Sequence, residues 1–328
     1  MSKSHIRLNK TTREWVIYAP SRQKRPQDFK QINLEESDSH YCPFCPENED
    51  HLEPVILELP NPIKQGWQTR VVENKYPVLT PDTHPNRKMN GIYVTMMGYG
   101  QHEVIIESPH HNQDIATMPL KAVETVLETY HQRYLELMTA HENMMIIIFR
   151  NHGKKAGASL KHPHSQIIMT GIVPQHIRLR EREAQRYYDQ WARCLYCDML
   201  YFELHTETRI ITENHSFVCF VPFAAEVPFE MWIIPKEHQA DFGSISSRQK
   251  ADLALILKDA LGRLYRKLNN PDYNYVINTA ARYKAEEPQV HWYLQIRPRL
   301  TTPAGFEIGS GMNINPSIPE LDAKFLRS

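Results

Sequence analysis

Ser159 to Met169 read SLKHPHSQIIM, with His162, His164 and Gln166 at every second position before an apolar run. On a strand, alternate residues share a face, so these three side chains point one way with Cα atoms about 7 Å apart. A neutral imidazole can attack phosphorus when one ring nitrogen is unprotonated and the other is held by a hydrogen bond. The product is a phosphoramidate that passes its group to a second acceptor. Gln166 suits this chemistry, because it can hydrogen-bond a phosphate oxygen without titrating. Pro163 cannot donate to a ladder and marks a strand start or edge. Just upstream, RNHGKKAGAS (150–159) sets Asn151, Gly153, Gly157, Ser159 and two lysines between two strand-like runs. Such a loop can line a phosphate.

Four of the five cysteines fall in two CxxC pairs, Cys42/Cys45 and Cys194/Cys197. With no secretion signal in view, these pairs read as metal or redox sites rather than disulfides. The first pair is followed in order by a Glu-Asn strand, SPHH, and the HPHSQ strand. The second is followed by ITENHSF, IIPKEH and VHWYLQI. Pro-x-His and the His-led strand lie 51 residues apart in the first half (His111 to His162) and 53 in the second (His238 to His291). This order of matching marks is the signature of an internal duplication. Each half then offers a thiolate and imidazole set of the kind zinc takes in a tetrahedron: Cys42, Cys45, His111 and His162, then Cys194, Cys197, His238 and His291. With no open position, both sites are structural. His111 is preferred to His110 because it shares the Pro-x-His spacing with His238. A nucleic-acid finger needs about a dozen residues between its Cys and His pairs; here the gaps are 66 and 41. The fifth cysteine, Cys219, sits in FVCFVPF and reads as a buried small hydrophobe.

The elements that must position these residues follow from pattern. EWVIYA, HEVIIES, MMIIIF, SQIIMT, SFVCFVPF, EMWIIP and NYVINTA are rich in β-branched and aromatic residues and read as strands. Leu120–Ala140, Pro174–Arg193 and Arg248–Leu268 read as helices, the last capped by Ser246 or Ser247 and stopped at Asn269–Pro271. Strands and helices mix without regular βαβ alternation, which predicts an α+β fold. Lys+Arg and Asp+Glu both number 38, so no global charge draws the chain to nucleic acid or an anionic membrane. The longest apolar run, MMIIIF, is far too short to span a bilayer. The N-terminus lacks an apolar signal segment, and a cytoplasmic location is the expectation.

The motifs together resemble the galactose-1-phosphate uridylyltransferase family of the histidine-triad superfamily. The resemblance runs from REWVIYAPSRQKRP to GFEIGSG, nearly the whole chain. It implies two histidine-triad-like repeats, mostly antiparallel sheet with flanking helices: residues 1–190 with the catalytic HPHSQ and residues 191–328 without it. It implies that His162 binds zinc and that His164 carries the nucleotidyl group. It implies contacts to the nucleotide from Arg22, Arg25 and Asn74, and to phosphate from Asn151, Gly157, Ser159 and Gln166. Triad hydrolases carry a third histidine where this chain has Gln166, so transfer is expected rather than hydrolysis. Two departures stand out. HWYLQIRP has Gln295 and Arg297 where uridylyltransferases have a His-x-His that helps hold iron, so no iron site is expected. GFEIGSG has Gly305 and Gly311 where the hexose-phosphate loop has Lys and Glu. Both are similar to the ADP-glucose phosphorylase branch. The leading expectation is a UDP-glucose:hexose-1-phosphate uridylyltransferase. The alternatives are adenylyl transfer from ADP-glucose to inorganic phosphate and a non-catalytic nucleotide-binding module. A nucleotide sugar with a sugar 1-phosphate or phosphate, and a second copy in a homodimer, are the expected partners; nucleic acid and membrane are not.

Overall fold

The computed structural model describes residues 4–19, 42–140 and 145–328. Two short strands open the chain, β1 (His5–Leu8) and β2 (Trp15–Tyr18). The first half continues with β3 (Val55–Pro60), β4 (Trp67–Glu73), a hairpin of β5 (Arg87–Asn90) and β6 (Tyr93–Met96), and β7 (Gly100–Ile106). Helix α1 (Leu120–Ala140), β8 (Met145–His152) and β9 (His164–Thr170) complete it. Two helices follow, α2 (Gln175–Trp191) and α3 (Leu195–Thr206). The second half holds β10 (Ile210–Glu213), β11 (Phe217–Phe220), β12 (Met231–Pro235), α4 (Ser247–Leu268), β13 (Tyr273–Asn278) and β14 (Tyr293–Pro298). The chain closes with α5 (Gly305–Ser310), β15 (Ile314–Asn315) and α6 (Pro319–Arg327).

Ten strands form one sheet in the order β10-β11-β12-β14-β13-β8-β9-β7-β4-β3. Every neighbouring pair in it is antiparallel. The order is a palindrome of two five-strand halves joined where β8 meets β13, with Arg150 opposite Tyr275 and Asn151 opposite Asn274. His164 on β9 and Tyr293 on β14 therefore occupy equivalent places, as do Gln166 and Gln295.

Alternation gives the sheet two unlike faces. On one, Val71, Ile105, Ile148, Ile167, Tyr275, Leu294 and Ile233 are buried with the apolar stripes of α1 and α4 in a single core. Those helices pack on each other as well as on the sheet. On the other face, α2 and α3 cover the second half, where Val218, Phe220, Trp232 and Tyr293 are buried with Tyr196 and Leu200. On the first half this face carries a smaller cluster of Trp67, Val72, Val104 and Ile106 beside Phe44 and Leu52. His164 and Gln166 look out from it.

The three helices read from pattern are present. Pro174 and Ser246 stand just before α2 and α4, and Ser246 forms a capping box with Gln249. The stop after α4 is a left-handed pair, Asn269 and Asn270. Helix α3 is an addition: it grows from the second CxxC, whose residues pattern alone leaves unassigned. Among the described residues no helix is long and apolar enough to cross a membrane.

Candidate active site and metal centres

The first CxxC is a tight turn closed by Cys45 N–H to the Cys42 carbonyl (3.2 Å) and by the Asn48 amide to the same oxygen (2.8 Å). It presents both sulfurs to His111, in the loop after β7, and to His162, two residues before β9. Cys45 Sγ lies 3.3 Å from His111 Nδ1 and 3.5 Å from His162 Nδ1. The second cluster repeats these figures: Cys197 Sγ is 3.3 Å from His238 Nδ1 and 3.5 Å from His291 Nδ1. In each cluster the four ligand atoms lie within 4.8 Å of one another. Ligands about 2.3 Å (sulfur) and 2.1 Å (nitrogen) from one zinc would stand about 3.5 Å apart, so the donor sets fit a tetrahedral ion. The far ring nitrogens agree. His162 Nε2–H donates to the Ser108 carbonyl (2.7 Å) and His291 Nε2–H to the Pro235 carbonyl (3.2 Å). Each bond fixes the tautomer that turns an unprotonated Nδ1 toward the sulfurs. Burial pushes the Cys45 thiol up to about 12, a cost that a bound cation offsets. His110 is exposed and faces Lys64 (2.9 Å) instead.

His164 opens β9. Its Nδ1–H donates to the His162 carbonyl at 2.7 Å, so Nε2 keeps its lone pair. Burial is the main reason its proton affinity falls below the usual histidine range, and the ring stays neutral. The Phe44 ring, inside the CxxC turn, meets both His162 (5.9 Å) and His164 (5.5 Å) edge to face. The Cys/His cluster and the candidate nucleophile thus share one wall.

The opposite face of β9 is locked from behind. Ser165 points away from His164 and donates to Glu107, which also accepts from the Tyr130 hydroxyl (2.7 Å) and pairs with Arg150 (2.9 Å). Arg150 in turn reaches the Tyr273 hydroxyl at 2.5 Å. Glu107 and Arg150 are fully desolvated, so their charges persist only as a pair. This network ties α1, β8, β9 and β13 together under the site.

The loop between β8 and β9 contains Gly153, Gly157 and Ser159. Gly153 has φ +83°, and a Cβ there would sit 2.2 Å from Asp272 Oδ1. Asp272 accepts the Lys155 N–H (2.6 Å), and the Asn274 amide donates to both Asn151 Oδ1 and the Ala156 carbonyl (2.8 Å each). Two second-half residues therefore hold the first half's loop. Asn151 stands on the same face as Phe149, which pairs across with Gln166. Asn74, after β4, accepts the Tyr76 N–H (2.8 Å) and lies beside His102. Arg22 and Arg25 lie outside the described residues.

Four residues that matter here were not read from sequence: Phe44, His102, Asp272 and Asn274. His102 alternates with Val104 and Ile106 in HEVII, a visible strand-face signal. Asp272 and Asn274 have no local signal, because their partners lie more than a hundred residues away in the chain.

The equivalent place in the second half is closed. Tyr293 stacks on Trp232 (4.3 Å), receives Arg180 from α2 (3.0 Å), and keeps its proton because burial raises its affinity. Gln295 donates to Glu230 (2.8 Å) and Arg297 to Glu226 (2.7 Å). A guanidinium cannot ligate a metal, so this donor set does not fit an iron centre.

Comparison with known proteins agrees with the geometry. Residues 1–174 match the family model for the galactose-1-phosphate uridyl transferase N-terminal domain, and residues 180–304 match that for the C-terminal domain. The chain is 35% identical to ADP-glucose phosphorylase of Arabidopsis thaliana over 98% of its length and 92% of that protein. It is 31% identical to galactose-1-phosphate uridylyltransferase of Thermotoga maritima, over 98% and 97%. The crystal structure of the Arabidopsis thaliana phosphorylase with bound ADP-glucose superposes with a TM-score of 0.84 at 33% identity, covering 100% of this chain and 99% of that one. With paired halves, two Cys/His clusters and family models that match both halves, the chain belongs to the galactose-1-phosphate uridyl transferase family of nucleotidyltransferases.

Proposed function

We propose that the chain moves a nucleotidyl group from a nucleotide sugar to a phosphate-bearing acceptor through a covalent bond to His164. The observation that carries this is the 2.7 Å bond from His164 Nδ1–H to the His162 carbonyl, which leaves Nε2 as a buried, unprotonated nucleophile. In the first step Nε2 attacks the α-phosphorus, the bond to the bridging oxygen breaks, and sugar 1-phosphate leaves with the electron pair. In the second, an acceptor phosphate oxygen attacks the same phosphorus and Nε2 recovers its lone pair. A sugar phosphate is a good leaving group, so no strong general acid is required. Gln166 donates to a non-bridging oxygen, while Asn151, Gly157 and Ser159 line the phosphates, and Arg22, Arg25 and Asn74 hold the nucleotide.

In this reading Cys42, Cys45, His111 and His162 hold one zinc ion, and Cys194, Cys197, His238 and His291 hold another. Each ion, in a closed shell of four protein ligands, supplies a cross-link between loops and strands. The reading divides the chain at residue 190 into two repeats of one ancestral unit. It takes a cytoplasmic homodimer as the working form, which light scattering on the purified protein tests.

In the first reading the donor is UDP-glucose and the acceptor a hexose 1-phosphate. A second reading, adenylyl transfer from ADP-glucose to inorganic phosphate, is favoured by specific residues. Gln295 and Arg297 are spent on Glu230 and Glu226. The 305–311 segment carries glycine at both ends rather than Lys and Glu.

An intact mass spectrum after separate incubation with UDP-glucose and ADP-glucose tests both readings, beside a His164→Ala control. A UMP-sized gain establishes the uridylyl reading and an AMP-sized gain the adenylyl reading. No gain with either, from metal-replete protein, overturns the covalent mechanism.

A further inference from the structure

His102 stands on β7, diagonal to Gln166 across the β7–β9 ladder, and is buried. Its two ring nitrogens have unlike neighbours. Nδ1 receives the Val78 N–H at 3.2 Å. A backbone amide can only donate, so Nδ1 must accept, and a neutral ring then carries its one proton on Nε2. That nitrogen lies 2.8 Å from Gln166 Oε1. Burial, the largest influence on this ring, lowers its proton affinity and keeps it neutral. The Asn74 amide nitrogen, 3.1 Å from the same Nε2, cannot accept its proton, and the Asn74 oxygen is already taken by Tyr76 N–H. The ring's single donor therefore goes to Gln166.

We propose that His102 is the positioning residue that sets the orientation of the Gln166 amide. Held by its oxygen, Gln166 has no freedom to flip, and its NH2 group, on a side chain that shares a strand face with His164, makes no hydrogen bond among the described residues. A flipped amide would aim a carbonyl oxygen at a phosphate oxygen and repel it. The same imidazole anchors the Tyr76–Val78 segment through Val78, so both arms of the nucleotide site rest on one ring. This inference rests on the reading of Gln166 as a phosphate ligand.

The test is the rate of nucleotidyl-His164 formation from whichever of UDP-glucose and ADP-glucose labels the wild type. His102→Asn keeps an acceptor for Val78 but loses the donor to Gln166; the expected rate falls on the order of tenfold or more, with melting temperature and metal content unchanged. His102→Gln restores a donor at the reach of Nε2 and recovers most of the rate. In a Gln166→Ala background, His102→Asn adds nothing further. An equal loss in that background, or no loss in His102→Asn, overturns the proposal, as does an Nδ1–H tautomer for His102 in the 15N spectrum of the wild type. A wild type that forms no adduct with either sugar removes the functional reading itself, a result the variants cannot mimic.

Discussion

Two residues at equivalent places in the two halves have opposite fates. His164 and Tyr293 each start a similar stretch of strand, yet only His164 offers a ring nitrogen whose lone pair no neighbour takes. Tyr293 is closed off by Arg180 and the Trp232 ring. Tyr293→His is therefore expected to leave the adduct at one nucleotide per chain, counted by intact mass, since α2 still covers the new imidazole. Two adducts would show that residue type, rather than cover, decides which half can be labelled. The candidate site at this scale was legible in advance: His-x-His-x-Gln on a strand face and two CxxC pairs are short-range patterns. What stayed hidden was the tautomer logic. Which nitrogen of His162, His291 or His102 is free depends on carbonyls and amides of other segments, and that of His164 on a backbone carbonyl two residues back; side-chain spacing reports neither.

At the scale of elements, the loop proposed to line the phosphates belongs to one half and its supports to the other. Asn274→Ala removes the two amide bonds to Asn151 and Ala156. Adduct formation should slow about tenfold, because a shift of about 1 Å in a positioning group can cost up to a hundredfold. Metal content should not change; loss of both together would mean the loop is not the part that moved. The metal clusters make a different prediction. Cys197→Ala removes the tie between α3 and the segments bearing His238, after β12, and His291, before β14. One zinc per chain should be lost by elemental analysis, and α3 should become sensitive to protease while the first cluster stays filled. Helices α1, α2 and α4 were readable because amphipathic period and caps are local signals. Helix α3 was not, since CLYCDMLYFELHT carries little one-sided pattern; it forms because its apolar side chains bury against Phe220 and Trp232. The β5–β6 hairpin was missed as well: MNGIYV mixes polar and apolar residues, all of them exposed.

Across the whole molecule, the C-terminal helix α6 joins the ends of the chain to the second half. Glu320 pairs with Arg7 of β1 (2.9 Å) and with Arg209 (2.8 Å), and Asp322 accepts the Phe229 N–H at 2.9 Å. Asp322 is fully buried, and desolvation pushes its carboxyl up to about 7. A folded-state affinity above the unfolded one means that the native chain binds the extra proton. Its contribution to stability thus falls as pH rises from about 4 through 7. Asp322→Asn, which keeps the shape and an acceptor, should lose less stability than the wild type between pH 5 and 7.5, by on the order of 1–3 kcal/mol in urea titrations. Identical slopes would mean that Asp322 ionises in the fold as freely as in the unfolded chain. The duplicated order of the sequence foretold two similar halves, but not how they meet. Antiparallel pairing of β8 with β13 is a contact between distant segments, and its register is decided by the core beneath it rather than by either strand alone.

That seam has a further consequence. A chain cut between the halves would bare the edge of β8 from Ile148 to His152. Such an edge is a template for the next available strand. The nearest match is the same edge on another copy, since β13, its natural mate, occupies the equivalent place in the other half. A severed N-terminal half is thus expected to close edge to edge on itself or to grow into aggregates, so covalent fusion of the two halves also works as a safeguard of solubility.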